Sequence, residues 1–368
     1  MANIVQSRPD PVTMNAMARM NLLSSGVSMV YRLPVTTVQQ GSTAQITLQR
    51  VGVTTGVMLQ CTATVNITAA ATASPLAPWS FISRIRYTDF AGIDRIATSG
   101  FGLAMGQAFK HGDLPAQAVP GTVPGVGNID TNILSLPTAV GVGLVNFSLW
   151  VPFAYDATSD LRGAILAQTV VGDHFISVDL ANTLVGDVVA CPYTSGTVSL
   201  SNFTVDAFQH YLQPQNLNML PAIDLATIYA FQGGLADTSN ITANGDKFLN
   251  FPDNRSILSA MYIYENGGAL TLNGTDINLV TLLANSNTNL RTMTPRYIRE
   301  AQRKMTHGDV SSGVYYLSCR RQPILTQLMG NVQTKFSLGA VNAGVTQFVS
   351  QYESFYPSGA PLPGVTQN

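Results

Sequence analysis

ISRIRYTDFAG, residues 82–92, is echoed by LSAMYIYENGG, residues 258–268: each is a strand pattern with aromatic and β-branched residues, closed by a glycine turn. The separation is 176 residues (258 minus 82). Each copy is followed by a Thr-containing turn and a pattern that reads as helical, TSGFGLAMGQAF (98–109) and NGTDINLVTLLA (273–284). Farther on, VNFSLWVPF (145–153) corresponds in position to GVYYLSCRRQP (313–323), and NFTVDAFQHYLQP (202–214) to QFVSQYESFYP (347–357). Identity is low, so the repeat rests on order and pattern. It predicts two like halves joined by YLQPQNLNMLPAIDLATIYAFQGG, residues 211–234.

The first half reads as β. Val57, Leu59, Cys61, Ala63, Val65 and Ile67 alternate with Met58, Gln60, Thr62, Thr64 and Asn66, which sends one face to a core and the other outward. Similar patterns at 28–33, 44–48, 82–88, 94–98, 145–151, 174–180 and 197–211 bring the count to eight strands, the number a jelly roll needs. One helix interrupts them at 101–110. Its entrance, GFGLAM from Gly100 to Met105, is an incomplete dinucleotide fingerprint: Met105 stands where Gly or Ala is required, and βα alternation is absent. The expected role of these glycines is close packing of a helix on a sheet.

Length and composition fit a structural protein. A chain of 368 residues exceeds what one core usually spans, so two domains are expected. Charged residues are 11% of the chain, against about 25% in ordinary globular proteins. With a formal net charge of −1 there is little repulsion between copies, which favours self-association and disfavours specific nucleic-acid binding. Cys61, Cys191 and Cys319 show no CxxC spacing and read as small buried residues. The uncharged run 131–155 contains Pro137 and Pro152 and ends in a strand pattern, so it reads as a loop and a buried strand. Six Asn-x-Ser/Thr sequons (Asn66, Asn146, Asn202, Asn240, Asn254, Asn273) come by chance from an Asn- and Thr-rich chain, and no signal peptide is expected.

Catalytic and metal motifs are missing. His111, His174, His210 and His307 make no HxH or HExxH pair, and there is no GxSxG, P-loop or EF-hand. His174, beside Asp173 and Ser177 on an alternating strand, is the single local group, and it lacks a partner for chemistry. No catalytic, cofactor-binding or metal residue is expected.

Two segments read as contact surfaces. Between Pro11 and Gly26, VTMNAMARMNLL forms a short apolar helix presenting Met14, Met17, Met20, Leu22 and Leu23, with Arg19 its one charge. It either folds back on its own core or grips a neighbouring subunit or a lipid surface. Near the other end, Thr294 caps and Pro295 opens a helix on which Arg296, Arg299 and Arg303 share a face, with Lys304 and His307 beside them. With Arg291, Arg320 and Arg321, seven of the nineteen Lys and Arg residues fall between 291 and 321. That stripe reads as a solvated or inter-domain face, or as a contact for phosphates or an acidic neighbour.

Four blocks carry a family likeness: WVPFAYDATSDLRGAILA (150–167), LPAIDLATIYAF (220–231), YENGGALTLNGTDINLVT (264–281) and GVYYLSCRRQPILTQLMGNV (313–332). In this order the chain resembles the double jelly-roll major capsid proteins of tectiviruses, tailless icosahedral bacteriophages with a membrane beneath the shell. The resemblance implies an all-β fold with a few helices: two eight-stranded jelly-roll β-sandwiches in tandem, in a pseudo-hexameric homotrimer. It implies a virion protein assembled in the cytoplasm of a bacterial host. Its partners would be neighbouring trimers, minor capsid, cement and vertex proteins, and the internal lipid membrane, with the N-terminal arm at the inner face.

The resulting division is an arm at 1–26, a first jelly roll at 27–212, a crossover at 213–234, a second jelly roll at 235–357 and a tail at 358–368. A pseudo-sixfold tile needs its lobes in fixed relation, so the joint residues Leu220, Pro221, Ile223, Leu225, Ile228 and Tyr229 are expected to be rigid and buried. The competing expectation, drawn from the sequons, is a secreted two-domain β-sandwich that binds carbohydrate or mediates adhesion.

Overall fold

The computed structural model describes residues 11–112, 136–169, 172–215, 227–238, 241–270, 276–285, 287–306 and 313–356. Lobe 1 contributes β1 (Val27–Arg32), β2 (Thr43–Thr47), β3 (Val53–Ala73), β4 (Ile82–Thr88), β5 (Asp94–Thr98), β6 (Gly141–Pro152), β7 (Phe175–Leu180) and β8 (Tyr193–Gln213). Lobe 2 contributes β9 (Ile228–Thr238), β10 (Gly245–Asn250), β11 (Ser256–Asn266), β12 (Ile277–Ala284), β13 (Thr288–Met293), β14 (Val314–Ser318), β15 (Val332–Leu338) and β16 (Gln347–Tyr356). Two-residue strands at Thr36–Thr37, Ile165–Leu166, Ala269–Leu270 and Ile324–Leu325 add short pairings.

The two lobes have one topology. Lobe 1 pairs its strands in the orders β1-β8-β3-β6 and β2-β7-β4-β5, and lobe 2 in the orders β9-β16-β11-β14 and β10-β15-β12-β13. Counted within each lobe, both are 1-8-3-6 facing 2-7-4-5, the jelly roll. The cores lie between the facing sheets. Tyr87 stacks on Phe153 with centroids 3.9 Å apart in lobe 1, while Phe336 lies 4.5 Å from Phe348 and 5.1 Å from Tyr262 in lobe 2. Burying each such ring stabilises its lobe by about 1.5–3 kcal/mol.

Helix α1 (Pro11–Ser25) precedes lobe 1. Helix α2 (Gly100–His111) follows β5, and helix α3 (Pro295–Thr306) follows β13, the same place in the second lobe. Each starts as its sequence dictates: the Ser99 side chain accepts from the Gly102 amide at 3.1 Å, and the Thr294 hydroxyl accepts from the Tyr297 amide at 3.3 Å. At the other end of α2, Gly112 takes the left-handed conformation that closes the helix.

The repeat is real, but one of its expected correspondences is a strand out of step. The rungs Ile85–Thr98 and Tyr87–Ile96 match Val280–Met293 and Leu282–Arg291, so one shift of 195 residues (291 minus 96) carries β4 and β5 onto β12 and β13. The same shift carries Gly100 at the head of α2 onto Pro295 at the head of α3. The counterpart of 82–88 is therefore 277–284, whereas 258–268 matches β3. The helix expected within 273–284 is strand β12, whose apolar run is buried at Ile277 and again from Val280 to Ala284. A strand covered on both faces shows no alternation and resembles a buried helix. The other two correspondences, β6 with β14 and β8 with β16, hold.

β5 and β9 run parallel through the rungs Ile96–Phe231 and Ala97–Gln232, so one sheet passes through both lobes. β9 begins at Ile228, inside the stretch expected to be crossover, and lobe 2 thus starts earlier than 235.

Candidate assembly surfaces

Three regions carry the expected contact residues. In the joint, Tyr229 is fully buried and Ile228 half-buried, whereas Leu220, Pro221, Ile223 and Leu225 lie outside the described residues. Tyr229 joins Arg320, read as part of the basic stripe, around two groups the sequence did not single out, Glu353 and Lys110. Glu353 on β16 is wholly buried and accepts from Arg320 Nη2, Tyr229 OH and Ser259 Oγ, each at 2.7 Å. Lys110, at the end of α2 in lobe 1, sits 3.8 Å from Glu353 and over the rings of Tyr155 and Tyr229, donating to the Tyr155 carbonyl.

Burial opposes every charge here, and the geometry overrides it at the carboxylate. The Arg320 guanidinium and Lys110 hold Glu353 down at about 2, against the desolvation that would raise it. Lys110 is lowered to about 8 by burial, which its attraction to Glu353 only partly offsets. One signal of this group was legible: Glu353 is the lone charge in the strand pattern QFVSQYESFY, and a lone charge that becomes buried needs partners.

Alongside, α2 lies flat on lobe 2. A Cβ at Gly106 would collide with the Phe231 ring and one at Gly102 with the Gln351 side chain, which fits the packing role read for these glycines. Gln351 Nε2 donates to the Gly102 carbonyl at 2.9 Å, and Phe109 stacks on Tyr316 at 4.1 Å.

The arm divides. Leu22 is buried among Val53, Ala154, Leu161, Ala164 and Leu212 of its own lobe, with Leu23 against the same cluster. Leu22 is therefore withdrawn from the residues expected to meet a membrane or neighbour. Its apolar surface is already covered. Met17 and Met20 are 55% and 68% exposed, Arg19 is half-buried, and the Met14 side chain lies outside the described residues.

The basic stripe also divides. Arg296, Arg299 and Arg303 are exposed and border an open cavity of about 540 Å³, with Glu300 3.6 Å from Arg303. Lys304 does not belong to that face. At the α-helical period it turns with Tyr297 and Ala301 toward a separate groove of about 650 Å³, shared with Arg291 and Arg321. Arg320 is half-buried and paired with Glu353, and His307 lies outside the described residues.

The chemistry-bearing residues left over are structural. Cys61, Cys191 and Cys319 are free and buried. His174 is fully buried, with Nδ1 3.1 Å from Tyr87 OH, and burial lowers it to about 4, so it is neutral at physiological pH. Among the described residues no cluster of His, Cys, Asp or Glu would hold a metal ion, and no helix is long and apolar enough to cross a membrane.

Comparison with known proteins agrees with this architecture. The P3 major capsid protein N-terminal family matches residues 4–208 and the P3 major capsid protein C-terminal family residues 226–360. The major capsid protein P3 of Enterobacteria phage PRD1 is 25% identical over 363 residues, covering 93% of this chain and 90% of that protein. A structure of the Sulfolobus Turreted Icosahedral Virus matches with a TM-score of 0.66 at 13% identity, over 90% of this chain and 91% of that one. The major capsid protein P2 from Bacteriophage PM2 matches at 0.50 and 11% identity, over 90% and 98%. Two lobes of one topology, locked through a shared sheet and matched along nearly their whole length, leave one reading: the chain belongs to the P3 major capsid protein family and is a structural subunit of a virus capsid.

Proposed function

We propose that three copies of this chain form a homotrimer that tiles an icosahedral shell around an internal lipid membrane, with no catalytic activity. The observation that carries this is the duplication. Two lobes of identical strand order in fixed relation give six similar lobes from three copies, a near-hexagonal tile able to pack edge to edge. Such a tile would meet neighbouring trimers, minor capsid, cement and vertex proteins, and would assemble in the cytoplasm of a bacterial host.

Within this reading Met17 and Met20 are the arm's outward contact, toward lipid or a neighbouring trimer, while Leu22 and Leu23 moor the arm to lobe 1. The face of Arg296, Arg299 and Arg303 supplies a salt-sensitive contact with phosphate or an acidic neighbour.

The mass of the purified chain tests the first step: a trimer is expected, and a stable monomer at micromolar concentration would overturn it. Deleting residues 1–21, which leaves Leu22 in place, should preserve the trimer and impair shell closure or lipid recovery in the particle fraction. Loss of the trimer itself would show that the arm has another role. Retention on glycan columns without particles or lipid would favour a carbohydrate-binding β-sandwich.

A further inference from the structure

The seam between the lobes is filled by paired charge at Glu353 and left open farther along. At Gln347, on the same strand β16, a cavity of about 160 Å³ lies between the two lobes. Ile82 and Phe101 of lobe 1 wall it on one side and Ile263 and Val349 of lobe 2 on the other, and the exposed residues Ser83 and Ala190 border it. Protein interiors hold few voids larger than a water molecule. This one has the room of a single aromatic ring, since a cavity of about 150 Å³ takes up benzene.

Polar groups without partners gather at it. Ser80 lines the cavity, is only 4% exposed, and its hydroxyl makes no hydrogen bond. Gln347, also in the lining, donates from one amide nitrogen to carboxylates of both lobes, Glu265 Oε2 at 2.6 Å and Asp187 Oδ2 at 3.3 Å. Asp187 Oδ1 accepts from the Val189 and Ala190 amides at 2.8 and 3.0 Å, whereas Glu265 Oε1 is buried with no partner. Glu265 shares the cavity side of its sheet, because it stands two positions from Ile263 on β11 and the rungs Ile263–Val349 and Glu265–Gln347 lie on one face. Among the described residues no Lys or Arg pairs with either acid.

We infer that this cavity binds a small organic ammonium ion, its apolar body between Phe101 and Ile263 and its charged head at Glu265 and Asp187. All of these residues belong to one chain, so the site stands whether or not three copies assemble.

The chemistry selects the class of ligand. Two acids face one neutral amide donor here, and an ammonium group adds three N–H donors and the missing positive charge. Rotation of the Gln347 amide would turn its carbonyl oxygen toward the same head. A calcium ion takes six to eight oxygen ligands, more than two carboxylates and an amide supply without several waters, and the apolar walls offer none. A neutral molecule would fill the walls and leave the acids uncompensated. Apolar walls with a few convergent polar groups are the usual make-up of a small-molecule site. Asp187 is the titratable neighbour that acts on Glu265, and with burial it raises Glu265 to about 7, so at lower pH a proton holds the place of the ammonium.

Calorimetric titration of the purified full chain with benzylamine at pH 8 is expected to show one site per chain and a raised melting temperature. Benzyl alcohol, the same ring without the charge, should bind about tenfold more weakly or worse. Benzylamine affinity should fall several-fold from pH 8 to pH 6, as Glu265 must release its proton to receive the amine. Glu265→Gln keeps the shape, and should weaken benzylamine about tenfold and remove that pH dependence. Equal binding of the amine and the alcohol overturns the site, as does undiminished benzylamine binding by the Glu265→Gln chain. Stabilisation by calcium ions with none by benzylamine overturns the ligand class, and no binding at millimolar benzylamine overturns the inference outright.

Discussion

The same sheet is built twice in this chain and finished in two ways. In lobe 2, β11 is buried at all eleven of its positions, because α2 covers the outer face of β9-β16-β11-β14. In lobe 1 the matching β3 alternates from Val57 to Ile67, buried on the core side and partly wet on the other. The substitutions follow that difference. With the irregularities of the two sheets aligned, the rung Phe231–Glu353 of the covered sheet stands where lobe 1 has Val30–His210, so the covered sheet carries a large ring and a fully enclosed charge.

The sharpest way to break this contrast is Glu353→Ala. The change leaves Arg320 and Lys110 facing each other without the carboxylate that neutralises them, and removing one partner of a buried charge pair typically costs about 3–5 kcal/mol. Denaturant unfolding of the isolated chain measures the loss. His210→Ala, at the same place in lobe 1, removes an edge-on ring contact with Trp150 and should cost about 1 kcal/mol or less. Equal losses would mean that the two sheets are not differently finished.

A smaller effect is expected at the helices. Gly106→Leu drives a side chain into the Phe231 ring and should destabilise the chain by about 1–3 kcal/mol through overpacking, read as a lower melting temperature. Ala301→Leu fills an open groove instead, and should move the chain's own stability by no more than about 0.5 kcal/mol. An Ala301→Leu chain as unstable as the Gly106→Leu chain would show that the groove is already closed by the chain itself.

The same contrast explains which parts were legible in the sequence. The long strand β3 of lobe 1 announces itself by alternation, because one face of its sheet remains partly in contact with water. Lobe 2 announced itself less well. β11 is buried throughout and β12 is largely apolar, so pattern alone pairs the first with the wrong strand of lobe 1 and reads the second as a helix. The basic stripe was legible as composition, but its partition was not: helical period separates Lys304 from Arg296, Arg299 and Arg303, and tertiary contact removes Arg320 to Glu353. Lys110, Arg320 and Glu353 come together only because α2 crosses onto the second lobe, a placement that local pattern does not encode.

The smallest expected effect lies at the opposite end of the seam, where acid is faced with acid. Gln347 Nε2 donates to Glu265 Oε2 at 2.6 Å and to Asp187 Oδ2 of lobe 1 at 3.3 Å, while Glu265 Oε1 is buried with no hydrogen-bond partner. Burial, with Asp187 adding to it, raises Glu265 from 4.5 to about 7. For an acid raised in the folded state, the stabilisation is full below the unfolded value and is lost as pH rises through the folded one. Between pH 6 and 8 the chain should therefore lose about 1 kcal/mol of stability from this group, and Glu265→Gln should flatten that part of the profile. Among the described residues no Lys or Arg pairs with Glu265, so a paired charge at Glu353 contrasts with a carboxyl at Glu265 that burial favours in its protonated form. A melting profile unchanged by Glu265→Gln across this range would place that proton elsewhere.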